Sequence, residues 1–290
     1  MTDLGAAVIE HFTGITWAFV VDLAIDWAVF LVAALGLYVL MSAGQVSLGH
    51  AGMMGISAYA AAVLAVKFGV PFWASLPVCG LIGLVAGVIY CLLFGRRLGG
   101  FYLAIGTFAF GEMLINIGLN STYLGGAIGL SGIPLRTGWP VLVTIIPLLL
   151  FVLWRIETSR FGIAFRAVRD NEVVAASMGI NALRIKLLAW MVGGLITGLG
   201  GCLYVHRVTV LTPNEFGIYF SVTLLLAVLI GGLRTFWGTV LGSAVVHFGP
   251  WIATTNEPRD RLMFYGLGIV LLMVLRPQGL LAQRRRSSAY

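Results

Sequence analysis

Apolar residues run through this chain in long blocks rather than in an alternating or amphipathic pattern. Residues 27–66 contain no Asp, Glu, Lys or Arg, and further charge-free runs cover 68–95, 113–135, 137–154, 187–206, 216–233 and 262–275. Continuous runs of this length, rich in Leu, Ala, Gly and Val, predict membrane-spanning helices, since about 20 apolar residues cross a bilayer. Closed β-barrels show period-two alternation in short segments instead, which these runs lack. The expected spans are 73–94, 101–119, 140–154, 187–206, 217–233, 237–252 and 262–275. The 40 residues of 27–66 suffice for two passes, or for one pass plus a broken one. The segment 17–66 therefore holds either two full spans or an interfacial helix followed by discontinuous halves, and the whole chain eight to ten helices. The fold class is an all-α polytopic membrane protein, read as one transmembrane domain over residues 1–290.

Composition agrees. The 290 residues are 60% hydrophobic and 10% charged, with a mean hydropathy of +1.00, which excludes a water-soluble domain. The formal net charge of +7 reflects topology, not nucleic-acid binding. Arg96 and Arg97, the segment 155–186 with six basic and three acidic residues, and Arg276 with Arg284, Arg285 and Arg286 all fall on one side if the spans alternate. With Arg234, 13 of the 18 basic residues lie there, so that side is expected to be cytoplasmic and the C-terminus inside. Asp3 and Glu10 precede the first apolar run with no basic residue among them, which argues against a cleaved signal peptide. Cys79, Cys91 and Cys202 lie in apolar segments without metal-ligand or redox spacing and read as small core residues. Trp17, Trp73, Trp139, Trp190 and Trp251 fall near span ends and read as interface anchors.

Two segments break the apolar pattern. SAGQVSLGHAGMMGISAY, at 42–59, crowds Gly, Ser, Gln and His into a charge-free run. Loosened backbone at membrane depth is tolerated only inside protein or beside a wet cavity. Gly44, Gly49 and Gly52 let the chain bend, while Gln45, Ser47 and His50 offer hydrogen bonds to a solute; for His50 a satisfied packing role stands beside the pathway role. GGLRTFWGTVLGSAVV, at 231–246, resembles the early run loosely. This is either an internal repeat or independent small-residue packing. Glu112 lies inside an apolar run, where a charge is costly unless it is paired or reaches water. It is a pathway group or half of an ion pair, with Arg136 and Arg234 as possible partners.

The other interruption is the polar segment 155–186. Its middle predicts a short helix, with Arg166, Arg169, Asp170 and Glu172 near one end, Val173 to Ala176 at the centre and Gly179 as the stop. Two spans can be joined by a few residues, so a structured loop of this length suggests docking. A basic interfacial helix that fixes topology is the simpler alternative.

Five ordered motifs carry a resemblance: GQVSLGHAGMMGISAY (44–59), FYLAIGTFAFGEM (101–113), GLSGIP (129–134), SRFGIAFRAVRDNEVVAASMGIN (159–181) and YGLGIVLLMVLRPQGL (265–280). Together they resemble the LivM branch of branched-chain amino acid ABC transporter permeases. The resemblance implies an inner-membrane importer with discontinuous helices and an internal inverted repeat. Its partners would be a LivH-like second permease, two cytoplasmic LivG/LivF-like ATPases that bind ATP and Mg, and a periplasmic solute-binding protein. No cofactor is expected in this chain. Ala175 and Gly179 match the alanine and glycine of the coupling loop that seats in the ATPase, and Ala176 lies between them. Glu172, Val173 and Val174 depart from that loop's commonest form, which bears on its geometry. The stretch 44–52 looks like the lining of the translocation path.

The chain holds no phosphate-binding loop of the G-x-x-x-x-G-K-[ST] type, no H-E-x-x-H and no G-x-S-x-G. It is expected to be a transporter subunit and not an enzyme. The alternative is a self-sufficient channel or secondary carrier for a urea-like or amide-like solute, which would use paired intramembrane carboxylates; Glu112 alone speaks for it.

Overall fold

In the computed structural model, residues 17–253 are described, and the side chains of 250–253 are not. The expected span 262–275, the motif at 265–280, Arg276 and the C-terminal arginines, Asp3 and Glu10 lie outside that range. Among the described residues there are ten α-helices and no strand. They are α1 (Trp17–Ser42), α2 (His50–Val66), α3 (Phe72–Tyr90), α4 (Gly100–Asn120), α5 (Trp139–Thr158), α6 (Arg160–Asp170), α7 (Glu172–Ser177), α8 (Ala182–Val208), α9 (Ile218–Gly231) and α10 (Phe236–Ala253). A π-helical turn, Cys91–Gly95, extends α3, and a 3₁₀ turn, Pro213–Phe216, leads into α9. Six of these units are long and apolar enough to span a membrane, while α2 and α10 are shorter apolar helices. Each predicted span within the described residues, from 73–94 to 237–252, agrees with its helix to within about five residues.

The helices alternate in direction. Arg169 on α6 donates to the Leu233 carbonyl after α9 at 2.9 Å. Tyr38 and Ser42 of α1, Glu157 of α5, Arg166, Leu233 and Arg234 line one small cleft, so these segments share one end, termed here the basic end. At the opposite end Lys67 donates to the Tyr123 carbonyl at 2.7 Å with its ammonium over the Tyr123 ring. There Arg207 of α8 also pairs with Asp26 and Asp22 of α1, at 2.7 and 3.0 Å. The long connection 121–138 is pinned to the same end by a Leu130–Leu211 bridge and by Arg136 and Thr137 amides donating to the His206 carbonyl.

The core is built around α8, whose glycines let it approach three neighbours at backbone distance. A Cβ on Gly194 would run into the Gly83 carbonyl of α3, one on Gly193 into Leu40 of α1, and one on Gly201 into Met54 and Ala58 of α2. Lipid gives helices no hydrophobic drive to associate, so such close contacts supply the cohesion. Helix α3 packs on α8 as α10 packs on α1, and α2 packs on α3 as α9 packs on α10. Helix α2 runs away from the basic end and α9 toward it, which is the inverted relation between two halves.

The early run's counterpart is therefore the 209–217 entry with α9, not residues 231–246. Gly231, Gly238 and Gly242 instead seat α9 against α10, each too close to opposing backbone to accept a Cβ. Trp17, Trp73 and Trp139 are exposed, as anchors would be, but Trp190 is fully buried. All three cysteines are free and buried.

Gly83→Leu is expected to separate α3 from α8 and to cost about 1–3 kcal/mol, whereas Gly249→Ala meets nothing within 4 Å and should be neutral or stabilising. Thermal unfolding of the detergent-purified protein tests this, and equal midpoints for the two variants would count against the close-packed seam.

Candidate functional site

The residues of the 42–59 stretch form a broken span at the centre of the protein. Helix α1 ends at Ser42, and the chain turns at Gly44, whose φ of +75° favours glycine. It then runs without regular structure to His50, where α2 begins. Backbone groups freed by the break find partners. The Gln45 amide donates to the Leu40 carbonyl at 3.0 Å, the Leu48 amide to Thr107 Oγ1 at 3.2 Å, and the Tyr90 hydroxyl to the Gly49 carbonyl at 3.3 Å. Gly49 and Gly52 permit contact with α4, where their side is met by Thr107 and Gly111.

The expected pathway side chains face protein, not an open channel. Gln45, Ser47 and His50 are all buried. Gln45 Oε1 accepts from Trp190 Nε1 at 3.4 Å, and His50 Nε2 lies 2.6 Å from Thr197 Oγ1, midway along α8. Thr197 in turn donates to the Gly193 carbonyl at 2.7 Å. Among the described residues Ser47 Oγ and His50 Nδ1 have no hydrogen-bond partner. Gly52 lines an apolar groove of about 330 Å³ between α2, α4 and Phe216. The entry to α9 meets this region from the other side: the Ala51 amide donates to Ser221 Oγ at 3.4 Å, and Phe216 packs against Gly55. Thr107, Tyr90 and Thr197 are not distinguished in the sequence, because apolar neighbours give them no pattern, and Trp190 reads there as an interface anchor although it faces Gln45 in the core.

Glu112 stands on α4 next to Gly111, at the depth where α2 begins, and is partly exposed. Neither Arg136 nor Arg234 pairs with it, and no ion pair to its carboxylate exists among the described residues. A carboxylate left in hydrocarbon at that depth costs about 2.5–3.5 kcal/mol on insertion scales.

At the basic end, the segment outside the long helices is 159–181, shorter than the expected 155–186, because α5 continues to Thr158 and α8 begins at Ala182. It forms two helices instead of one. Asn171, at φ −161° and ψ 108°, interrupts them and caps α7 by accepting from the Val173 and Val174 amides at 3.0 and 3.1 Å. Ser159 and Asn181 cap α6 and α8 in the same way. Gly179 ends α7 as expected, with φ +83°. Its amide donates to the Ala176 carbonyl and that of Ile180 to Ala175, each at 3.0 Å, which is a Schellman closure.

The expected coupling residues divide by environment. Ala175 is buried beneath α7 and packs inward, so it is not a contact surface. Ala176 and Gly179 are exposed, as are Val173 (79%), Val174 (56%) and Met178 (79%). Glu172 pairs at 2.7 Å with Lys186, a buried lysine near the start of α8. Arg166 donates to the Glu157 carbonyl at 3.4 Å, and Arg169 binds Asp170 at 3.2 Å besides the Leu233 carbonyl. A Cβ on Gly44 would lie 3.1 Å from the Arg169 Cα. The loop therefore touches the broken span directly.

A helical membrane protein with a broken central span, inverted halves and a capped helical loop at its basic end has the build of a transport permease. The chain belongs to the family of permease components of branched-chain amino acid transport systems, whose model matches residues 19–273. It is 30% identical over 314 residues to the high-affinity branched-chain amino acid transport system permease protein LivM of Salmonella typhimurium, which covers 93% of this chain and 73% of that protein. The LivM of Escherichia coli gives the same figures. A LivH, described as a probable branched-chain amino acid transport permease, from Methanocaldococcus jannaschii is 26% identical over 76% of each chain. No solved structure matches. The family is one of transport permeases and not of enzymes.

Gly179→Asn, which accepts a positive φ, is expected to leave thermal stability unchanged, while Gly179→Val should cost about 1–2 kcal/mol. Equal melting of the two variants would remove the conformational role of Gly179.

Proposed function

We propose that this chain is the transmembrane permease subunit of a binding-protein-dependent ABC importer for branched-chain or related amino acids. It pairs with a LivH-like permease, and the solute passes between the two chains in the bacterial inner membrane, with the C-terminus and the basic end in the cytoplasm. Two LivG/LivF-like ATPases bind ATP and Mg, and a periplasmic protein delivers the solute. Residues 1–290 form one permease domain. The family and the LivM relatives support the importer class, and the basic residues at one end support the orientation.

The observation that carries the coupling role is the α6–α7 element. It holds three exposed apolar side chains, Val173, Val174 and Met178, over the buried Ala175, and Glu172–Lys186 ties it to α8. Such a rigid apolar face beside basic side chains suits a protein partner more than a bare connection. Arg166 and Arg169 anchor α6 to the ends of α5 and α9, and Asp170 pairs with Arg169. Arg169 also abuts Gly44, so a push on α7 by the ATPases would reach the stretch Gly44 to Gly52, with Gln45, Ser47, Gly49 and His50 within it. Those residues act as the moving wall of the path, and Glu112 as a group in it.

In the reconstituted complex, Val173→Glu with Met178→Glu is expected to lower binding-protein-stimulated ATP hydrolysis at least tenfold while the protein still inserts, because both side chains face outward. Unchanged stimulated hydrolysis would argue against docking at this face.

A further inference from the structure

Glu112 is the first rung of a polar line along an otherwise apolar helix. Asn116 and Asn120 follow at intervals of four residues, roughly 6 Å apart along the axis, and both are exposed. Each amide is held against the helix, with Asn116 Nδ2 donating to the Glu112 carbonyl and Asn120 Nδ2 to the Asn116 carbonyl, both at 2.8 Å. The Glu112 carboxylate and the two amide oxygens remain to accept. The line begins near the opposite end, at Asn120, and stops at the depth of the α2 N-terminus; toward the basic end the same face continues with Ala109 and Ile105. It bears one negative charge, and no basic side chain among the described residues neutralises it.

A carboxylate at mid-depth on a partly exposed face requires water or a cationic partner. We infer that the Glu112–Asn116–Asn120 face is a binding ladder for a protonated amine, the α-ammonium of the transported solute, which descends from Asn120 to rest at Glu112. The inference rests on the importer reading and adds the chemical feature this chain recognises. A neutral urea-like solute would gain little from the charge, and a carboxylate without an amine would be repelled. The apolar continuation beyond Glu112 gives the ammonium no further acceptor, so its release toward the basic end depends on movement of the neighbouring break at Gly49 and Gly52, which packs directly on Gly111.

The test uses the full complex in proteoliposomes, with L-leucine and its amine-free counterpart 4-methylpentanoate as solutes. Glu112→Gln is expected to reduce ATP-dependent leucine uptake at least tenfold, with assembly and binding-protein-stimulated ATP hydrolysis retained. In parallel, Asn116→Cys, in a chain whose own cysteines are all buried, should react at least fivefold faster with a cationic than with an anionic methanethiosulfonate reagent. That preference should vanish when Glu112→Gln is added. Unchanged leucine uptake in Glu112→Gln, wild-type uptake of 4-methylpentanoate without leucine, or an unreactive Asn116→Cys thiol would each overturn the ladder. If Glu112→Gln fails to assemble with the second permease, the single Asn116→Cys variant decides: cation preference supports the ladder, and its absence assigns Glu112 to an ion pair between subunits. A wild-type complex with no ATP-dependent uptake of either solute would overturn the importer reading and the solute assignment with it, a failure distinct from that of the Glu112 variant alone.

Discussion

The close backbone approach of α8 to α1, α2 and α3 is the constraint on which the other features rest. Between lipid-exposed helices, burial of apolar surface contributes little, and cohesion comes from packing that only small residues permit. Gly193, Gly194, Gly198 and Gly201 bring α8 within reach of its neighbours, and this spacing delivers Thr197 to His50 and Trp190 to Gln45. An irregular segment at 43–49 would be intolerable against hydrocarbon, where each unpaired amide costs several kcal/mol. Enclosed by α3, α4 and α8, it finds the Leu40 carbonyl, Thr107 and Tyr90 as partners. The break exists because the surrounding helices stand close enough to satisfy it.

That enclosure also joins the basic-end loop to the centre of the protein. Arg169 sits on a capped helix in the basic-end loop, yet its backbone lies against Gly44 and its guanidinium holds the Leu233 carbonyl after α9. The starts of both half-spans, α2 and α9, meet through Ala51 and Ser221. A displacement of α6 therefore has a short, packed route to the center of the protein, through elements that change by discrete repacking and not by gradual bending.

Much of this was legible in the sequence because lipid imposes a coarse code. Charge-free runs located the spans, and the Gly-Ser-Gln-His interruption located the break. The basic clusters placed three segments at one end, two of which the described residues contain. Finer features carried no such code. In a helix apolar on every side, nothing distinguishes Trp190 in the core from a tryptophan at the interface. The division of the loop at Asn171 depends on a side chain accepting two amides, a choice that competes with continuing the helix. Ala175, read from the sequence as the alanine of a coupling loop, is buried against the protein's own core.

The distribution of unsatisfied polar groups adds a physical reason for motion at the break. Buried polar atoms are nearly always paired, and leaving one unpaired costs about 1–3 kcal/mol. Among the described residues Ser47 Oγ and His50 Nδ1 at the break and Ser57 Oγ further along α2 lack partners, as do His206 Nε2, Thr239 Oγ1 and His247 Nε2 elsewhere. The backbone of the irregular segment is paired, so its unmet cost sits in the side chains of Ser47 and His50. An arrangement in which Ser47 and His50 meet a polar partner would recover part of that cost. The same glycines that close the structure around α8 thus leave unpaired side chains at the break, beside the loop whose Arg169 abuts Gly44.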